Sequence, residues 1–446
     1  MTMKKLPPLL GLGLFIFLGG AGQAQDKWDL KKCIDYAVSN NISVKQQDVQ
    51  ARIAKLLVEQ YQLSQIPNLM FQGNGSFNSG YTQNPQTFTL STSILWYNTY
   101  GLTSQINFFN FNNIRDNIAG SRFAYEAANA GTDKLKNDVS LNVANAYLNF
   151  LMMNETANAA SLQLSMSQAN LSNTTKLVAA GSLPELNQAE LESQVAQDSS
   201  TFVTAQSNKQ QAILTVKAYM SFDAAATFEL DTPSVDKIPI ESLGELQPDV
   251  VYSLALLNQP LQKVDALNVK SAIKYTAAYR AAMYPVLTAF GQLGSTYINQ
   301  SYEQNQPYFN QLNTAFKQSL GIGLTIPIFN QGSYRLAYER SKWNVANYQL
   351  QQAADNLTLK QNIYLAYSLA VAALQKFESN KKTLDATQRS FDFAQKRYNV
   401  GLLNTIDLLT NQNNFFKAKI DLLSAQFDFV FKMKVLEFYK GMGLKL

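Results

Sequence analysis

Two long segments of the chain contain almost no charged residues, and this restricts where they can lie in a folded protein. Residues 60–114 contain no Asp, Glu, Lys or Arg, and between Arg280 and Arg335 only Glu303 and Lys317 are charged. A charged side chain that faces hydrocarbon costs about 2–4 kcal/mol near the middle of a bilayer. No such cost excludes charged residues from the solvent-exposed face of a soluble β-hairpin. The depletion therefore favours strands of a transmembrane β-barrel over a soluble sheet.

Large apolar residues alternate with polar or small ones in both segments. Residues 319–329, for example, read SLGIGLTIPIF, with a large apolar side chain at every second position. This period of two over about ten residues is typical of a barrel strand with its apolar face outward. A half-buried strand of a soluble sandwich alternates in the same way. The preference for a barrel strand therefore depends on the charge depletion. We predict hairpins at about 68–110 and about 286–329; the strand near 287–297 is less regular because Phe290 falls on its polar face.

The chain contains two copies of one plan. Ile106–Asn110 aligns with Ile326–Asn330 at an offset of 220 residues, and Gly181 aligns with Gly401 at the same offset. A constant offset across separated landmarks indicates a tandem repeat. Each copy is predicted to run helix, strand, strand, long helix, turn, long helix. The predicted repeats span residues 25–221 and 248–441, and an acidic, Pro-containing linker at 222–247 joins them.

Each copy also contains a very long segment without helix breakers. Ser333–Val400 has neither Gly nor Pro, and its counterpart at 113–180 has no Pro and only two glycines, Gly120 and Gly131. A continuous helix of this length would be roughly 100 Å long. Such lengths exceed ordinary globular helices and indicate coiled-coil packing, although a plain helical bundle has the same pattern. We predict long helix pairs at about 113–221 and about 333–441.

The second long helix of each copy, here called the return helix, has one face whose residues are spaced alternately by three and four. The side chains on this face, the seam, differ in size between the two copies. Steps of three and four residues from Ile406 to Val430 meet mostly large apolar side chains. The same steps from Leu186 to Leu214 meet mostly small ones. Small side chains let helices approach closely, so we expect the two copies to pack in non-equivalent places.

The N-terminus has the order of a secretory signal peptide. Lys4 and Lys5 precede an apolar run at 9–18, and small residues follow before a polar start at Gln25. The apolar run is shorter than the roughly 20 residues that a membrane span needs. We therefore expect residues 1–24 to be a signal peptide and the mature chain to be exported.

The composition excludes the commonest catalytic classes. The chain has no His, and Cys33 is its single cysteine, which removes Ser-His-Asp and Cys-His catalysis and the usual zinc sites. A formal net charge of +5 over 446 residues is small and argues against nucleic acid as a partner. We predict that the protein is not an enzyme and has no cofactor and no metal site.

Four strands are too few to close a barrel. A transmembrane barrel needs about eight strands, and an open edge in lipid leaves backbone groups without hydrogen bonds. Copies of the chain must then share one barrel, and a cyclic homotrimer would supply twelve strands. Pro327 is tolerable at the end of its strand, where a lost donor matters least.

Three short motifs resemble those of the TolC-like outer-membrane efflux family, and the resemblance extends over essentially the whole mature chain. Residues 28–37 (WDLKKCIDYA) with Asn40–Asn41 look like its N-terminal helix motif. Pro327–Gly332 (PIFNQG) is similar to its strand-to-helix junction, and Arg397–Gly401 (RYNVG) is similar to its helix-to-helix turn. The resemblance implies an α+β membrane protein. It would be a homotrimeric 12-stranded outer-membrane β-barrel, four strands per chain, continuous with a long α-helical coiled-coil periplasmic tunnel.

The resemblance also implies a function. Members of this family are outer-membrane exit channels of tripartite efflux or type I secretion systems, which passively conduct small molecules or polypeptides. The implied partners are two further copies of the chain, a periplasmic adaptor protein, an inner-membrane transporter and outer-membrane lipid. The alternative is a structural or adhesive coiled-coil protein of the envelope, which needs long helices but not charge-free hairpins.

The resemblance carries over a small set of site residues. Asp407 lies six residues after Gly401 and matches an acid of the family's pore constriction, three per trimer. Thr410 at nine residues does not match; the corresponding first-copy residues are Asn187 and Glu190. The alternative for Asp407 is an ordinary exposed acid favoured by a helix N-terminus. The other implied residues are the adaptor-contact turns (Gly181, Ser182, Leu183, Gly401, Leu402, Leu403) and the strand–helix junction (Pro327, Phe329, Asn330, Gly332).

Overall fold

Both repeats fold in the same order, two shorter helices followed by two strands and two long helices. The computed structural model describes residues 27–83, 88–233, 238, 241–300 and 306–441, and the predicted signal peptide at 1–24 lies outside them. The first repeat contains α1 (Leu30–Asn40), α2 (Ile42–Leu63), β1 (Asn68–Gln83), β2 (Leu90–Phe109), α3 (Asn113–Ala179) and α4 (Glu185–Met220). The second contains α5 (Pro248–Asn258), α6 (Pro260–Ala281), β3 (Val286–Gln300), α7 (Tyr308–Thr314), β4 (Lys317–Thr325), α8 (Ser333–Asn399) and α9 (Thr405–Lys440).

The four strands form one antiparallel sheet in the order β1-β2-β3-β4. The two hairpins therefore meet where β2 pairs with β3, with Tyr100 opposite Ser295. Strands β1 and β4 lie at the two edges, and within the described residues neither has a partner on its outer side.

The two faces of the sheet differ in polarity, as the alternation predicts. Directly paired residues share a face, so Leu102 and Leu293 lie on one side of the sheet. Thr103 and Gln292 lie on the other. Phe290, the exception in the sequence, falls on this polar face opposite Gly321. A Cβ atom at position 321 would lie 2.6 Å from Cζ of Phe290, so the ring occupies the space that the glycine leaves.

Strand β4 is shorter than the sequence indicates. The predicted second hairpin reached residue 329, but the strand ends at Thr325. Pro327 has no N–H to donate to a neighbouring strand, and the chain leaves the sheet just before it. The short helix α7, between β3 and β4, was also not predicted; Gln311 attaches it to β3 by accepting from Ile298 N at 2.5 Å and donating to Ile298 O at 3.0 Å.

Helices α3 and α8 each contain 67 residues and are therefore roughly 100 Å long. Helix α3 continues without a break through both Gly120 and Gly131, although the sequence suggested an interruption at Gly131. Near the sheet, α2 packs on α3, α3 on α6 and α6 on α8. Farther from the sheet, α4 packs on α3, α3 on α9 and α9 on α8. In cross-section the subunit is thus a row of four helices. Helix α8 lies at one edge, and the other edge is α2 near the sheet and α4 farther from it.

The seams of the two return helices differ in burial. On α9, Phe416, Phe427 and Val430 are buried within the chain. On α4, the residues predicted at matching steps are exposed, including Val203 and Leu214. The bulky seam therefore packs inside the subunit, whereas the small-residue seam of α4 faces away from it.

The N-terminal segment and the linker bind at the middle of the long helices. Trp28 forms a parallel bridge with Leu230, and the hydroxyl of buried Tyr147, at the centre of α3, donates to Asp231 O at 2.8 Å. Buried Lys217 donates to the carbonyl oxygens of Ala224 and Ala226 at 2.8 and 2.6 Å. These bonds fasten the start of the linker predicted at 222–247 to α3 and α4.

Candidate functional site

The helix-to-helix turns at the far end from the sheet have the same geometry in both copies. Gly181 and Gly401 adopt left-handed backbone conformations, with φ of +71° and +74°. Ser182 N donates to Leu177 O, and Leu402 N donates to Arg397 O, both at 2.8 Å. This pattern is the Schellman motif, which satisfies the last carbonyls of α3 and α8 and needs a residue tolerant of positive φ. The predicted turn residues therefore form two matching tips.

The helices that follow the tips begin differently. Asn404 caps α9, and its side chain accepts from the backbone N–H of Asp407 at 2.7 Å. Helix α4 follows Pro184 without a side-chain cap. The carboxylate of Asp407 is thus an exposed acid in the first turn of α9, where the helix dipole favours negative charge. Only the second copy offers a capped acid at this position.

The other predicted constriction residues contribute less. Thr410 is exposed, but its hydroxyl donates to Ile406 O of its own helix at 2.8 Å. On α4, Asn187 and Glu190 are half-buried. Helices α4 and α9 approach each other through Gln194 and the Asn413 side chain at 3.4 Å. Asp407 and Glu190 therefore lie near the same end of the subunit on different helices.

Hydrogen bonds join the α3–α4 helix pair to the α8–α9 helix pair near the tips. The hydroxyls of Thr174 and Tyr398 lie 2.8 Å apart and are buried, which joins α3 to α8. Gln412 Nε2 donates to Ser167 Oγ at 2.7 Å and joins α9 to α3. Asn170 Nδ2 donates to Gln412 Oε1 at 3.1 Å. The α8–α9 hairpin thus cannot move relative to α3 without breaking buried polar contacts.

Asp198 on α4 lies at the centre of a layer of buried, hydrogen-bonded polar side chains near the tips. Its carboxylate is only 2% exposed and accepts from Ser167 Oγ at 2.5 Å, Gln163 Nε2 at 2.7 Å and Gln194 Nε2 at 2.9 Å. Buried charges are tolerated when they are hydrogen-bonded in this way. Sequence reasoning missed the layer. Its signal was the spacing of Gln194 and Asp198, four residues apart on the buried face of α4, which is otherwise mostly apolar.

The strand-to-helix junctions also match between the copies. Two consecutive residues with positive φ precede each long helix, Phe111 and Asn112 before α3 and Gln331 and Gly332 before α8. Asn113 N donates to Asn110 O at 2.9 Å, and Ser333 N donates to Asn330 O at 3.1 Å. The predicted junction residues thus form a tight reversal. Among them Phe329 is strongly exposed and Pro327 is half-buried.

Two kinds of feature are absent from the part of the chain that the structure describes. No helix there is long and apolar enough to cross a membrane. No group of three or more His, Cys, Asp or Glu residues there is arranged to hold a metal ion.

Comparison with known proteins identifies the family. The model of the outer membrane efflux protein family matches residues 33–221 and 251–430, and each matched range lies within one of the predicted repeats. The pyoverdine export outer membrane protein OpmQ of Pseudomonas aeruginosa is 26% identical over 291 residues, 62% of this chain and 56% of OpmQ. The toxin and drug export protein A of Aggregatibacter actinomycetemcomitans is 23% identical over 238 residues, 51% of this chain and 47% of that protein. The chain spans about half the length of the curated relatives it matches.

Solved structures share the fold over almost the whole chain. The outer membrane protein VceC of Vibrio cholerae has a TM-score of 0.77 at 15% identity, with 93% of this chain and 97% of VceC covered. The outer-membrane channel OprN has a TM-score of 0.76 at 18% identity, with 93% and 90% covered.

These matches confirm the resemblance drawn from the motifs and the predicted TolC-like fold. They also confirm the predicted location in the outer membrane. The chain belongs to the outer membrane efflux protein family.

Proposed function

We propose that three copies of this chain form a passive exit channel that carries substrates from the periplasmic side to the exterior. The main observation behind the proposal is that one chain supplies only part of a barrel and of a helical tunnel. Both long edges of this part lack a partner within the described residues. The family supports an efflux role in general terms. The assembly of this chain and its docking points are inferred from its own surfaces, and the cargo is inferred from the names of its relatives.

Within the described residues the sheet has two unpaired edges, one on β1 and one on β4. Unpaired backbone groups are very unfavourable in hydrocarbon, so these edges require partners. Strand β4 of one copy can pair with β1 of the next, and closure after three copies gives twelve strands. The large apolar residues on the outer face would then contact lipid, since Leu320, Ile322 and Leu324 are 60–90% exposed in the single chain.

The helical edges carry complementary apolar strips. On α2, residues spaced by seven are each more than half exposed: Ile42, Val49, Leu56 and Leu63. On α8, residues with the same spacing are exposed as well: Leu336, Trp343, Leu350 and Leu357. A seven-residue apolar repeat is the signature of coiled-coil packing.

Sheet and helix edges coincide along the subunit. Helix α2 leads into β1, and β4 leads into α8. The subunit therefore has one edge made of α2 and β1 and another made of β4 and α8. When β4 pairs with β1 of the next copy, α8 and its apolar strip come to face the strip on α2 of that copy. One contact mode thus closes barrel and tunnel together.

The tips are the proposed docking points for a periplasmic adaptor that also binds an inner-membrane transporter. Leu402 is 68% exposed at the turn after α8, and Leu183 is half-buried at the turn after α4. Exposed leucines beside a glycine turn offer small apolar contacts to a partner helix pair. Ser182, Leu403 and the two glycines complete the predicted contact surface.

The proposed cargo is a small organic molecule or an unfolded polypeptide. The relatives are named for export of pyoverdine and of toxin and drug. Selection among such cargoes is expected mostly in the transporter. The channel itself would do no chemistry, which agrees with a family of channel proteins and with a chain that lacks His.

Planar-bilayer recording from the purified trimer tests the proposal. A channel gives discrete conductance steps, in the wild type or in a Tyr398→Phe variant that lacks the hydroxyl contact between α3 and α8. Absence of conductance from correctly assembled trimers of both proteins would refute the channel. It would favour the structural or adhesive coiled-coil protein instead.

Asp407 is proposed as the acid of the pore constriction, three per trimer. A ring of carboxylates attracts multivalent cations, which then block the pore. Asp407→Ala should weaken block by a trivalent cation at least tenfold. Asp385→Ala is the control, because Asp385 is exposed on α8 and pairs with Arg389 of the same helix. Unchanged block in Asp407→Ala would remove this residue from the pore.

A further inference from the structure

A groove near the sheet is lined by all four helices of that part of the subunit, α2, α3, α6 and α8. Its volume is about 680 Å³, which lies within the roughly 300–1,000 Å³ that small-molecule sites occupy. Every lining residue is a tyrosine, an asparagine, a serine or an alanine, so the lining carries no charged side chain. One tyrosine comes from α2, two come from α6 and two come from α8: Tyr61, Tyr275, Tyr279, Tyr334 and Tyr348. These five residues define the tyrosine groove.

Direct contacts fix the floor of the tyrosine groove on α6. A Cβ atom at position 120 would lie 3.1 Å from Cδ1 of Tyr275, so the ring of Tyr275 lies against α3 where Gly120 leaves space. Ser271 Oγ donates to Gly120 O at 2.8 Å and joins α6 to α3. Thr276 Oγ1 donates to Ser341 O at 3.2 Å and joins α6 to α8. The helices that flank the floor are therefore held in place on both sides.

The row of helices bends toward the tyrosine groove. Successive residues of an α-helix turn by about 100°, so Ser271, which faces α3, and Thr276, which faces α8, point about 140° apart. Tyr275 and Tyr279 point into this narrower sector of α6. Helices α3 and α8 therefore both lie toward the side of α6 that carries the tyrosines, and the groove is on the concave side of the row. In a tube of three subunits the concave side faces the tunnel, and this last step rests on the proposed function.

The apolar strip of α8, proposed to meet the next subunit, lies on the opposite side of that helix. Ser341 lines the groove, Trp343 belongs to the strip, and two residues along a helix point about 160° apart. Tyr334 and Tyr348 are 42% and 41% exposed in the single chain. Contact through the strip therefore leaves these rings accessible.

The hydroxyls of the tyrosine groove are available to a ligand. Within the described residues none of the five donates or accepts a hydrogen bond, whereas the hydroxyl of Tyr364, also on α8, donates to Asp249. A phenol hydroxyl donates to an oxygen acceptor, and its ring packs on other aromatic rings in offset or edge-to-face geometry. The groove thus offers stacking surfaces and donors but no charge.

We propose that the tyrosine groove binds uncharged, planar aromatic molecules that carry carbonyl or ether oxygens. Such a ligand stacks on the tyrosine rings and accepts hydrogen bonds from their hydroxyls. An anion would find no Lys or Arg in the lining, and a cation would find no carboxylate. Tyrosine rings also attract organic cations, and these are tested below as competitors. On the tunnel side, three such grooves per trimer would make this class of molecule one class of cargo.

Equilibrium dialysis of the trimer in lipid nanodiscs with methoxycoumarin, an uncharged planar fluorescent probe, tests the proposal. Nanodiscs without protein correct for probe dissolved in lipid. We expect one saturable site per chain. Tyr279→Leu and Tyr348→Leu each remove one ring and should each weaken binding roughly three- to tenfold. Both residues are 41% exposed, as is Tyr364 outside the groove, so Tyr364→Leu is the matched control and should bind as the wild type does.

Two results would overturn the tyrosine groove as an aromatic site. One is the absence of saturable binding, or binding that neither Tyr279→Leu nor Tyr348→Leu weakens. The other is stronger competition by tetramethylammonium or methyl glucoside than by unsubstituted coumarin, which would assign the groove to organic cations or sugars. Binding is measured without ion conduction, so the two proposals can fail separately. A trimer that conducts but does not bind the probe refutes the groove alone, and a trimer that binds the probe but never conducts refutes the channel alone.

Discussion

At the scale of single residues, Asp265 makes the stability of the chain depend on pH. Burial, then the charge of Asp355 and the hydrogen bond to it, raise the pKa of Asp265 from 3.8 to about 6. The folded chain then holds a proton that the unfolded chain has lost between about pH 4 and pH 6. Stability therefore falls as pH rises through this window, and the full penalty is present above pH 6.

This penalty predicts a stabilising substitution. Asp265→Asn should melt at a higher temperature than the wild type at pH 7.5 and at a similar temperature at pH 4. The expected gain is on the order of 3 kcal/mol per chain at most. Thermal unfolding in detergent at the two pH values measures it. A difference between the proteins that is the same at both pH values would contradict this assignment of the penalty.

At the scale of elements, buried polar contacts near the tips hold the α8–α9 hairpin against α3. The hydroxyl pair of Thr174 and Tyr398 is one of them. Tyr398→Phe keeps the ring and removes the hydroxyl, which leaves Thr174 without that partner and weakens the contact by about 1–2 kcal/mol. We expect channels of Tyr398→Phe to open five- to thirtyfold more often than the wild type in planar bilayers.

Tyr364→Phe is a matched control for that experiment. Tyr364 lies on the same helix, but its hydroxyl donates to Asp249 on α5 at 2.6 Å, far from the tip. This variant should open as often as the wild type. Equal increases in both variants would mean that the effect is not specific to the tip.

The elements also show how far sequence reasoning reaches. Alternation and charge depletion predicted the strands because lipid on one face and water on the other impose that pattern on the residues. The extent of β4 was overestimated, because Pro327 ends the pairing two residues before the proline itself. Helix α7 and the layer around Asp198 were missed. Both depend on contacts with distant segments, such as that of Ser167 with Gln412, which no local pattern encodes.

At the scale of the whole molecule, two unclosed edges determine what the chain can assemble into. The sheet edge and the helix edge on each side belong to consecutive elements, so both must meet the same neighbour. This coupling explains why the strips on α2 and α8 are apolar although they are exposed in the single chain. It also accounts for the small residues on the outer seam of α4, where a neighbouring helix can approach closely.

A charge placed in one strip should therefore prevent assembly without unfolding the subunit. Leu350 on α8 is 71% exposed in the single chain, so Leu350→Glu costs the monomer little. In the trimer the same carboxylate would be buried against α2 of the neighbour, and an unpaired buried charge is strongly unfavourable. We expect at least a tenfold loss of the heat-modifiable trimer on gels and of the trimer mass in light scattering. Gln349→Glu adds the same charge at an exposed position of α8 that points about 100° away from Leu350 around the helix, and it should assemble normally. If Leu350→Glu also forms stable trimers, the strip on α8 is not the surface that joins the subunits.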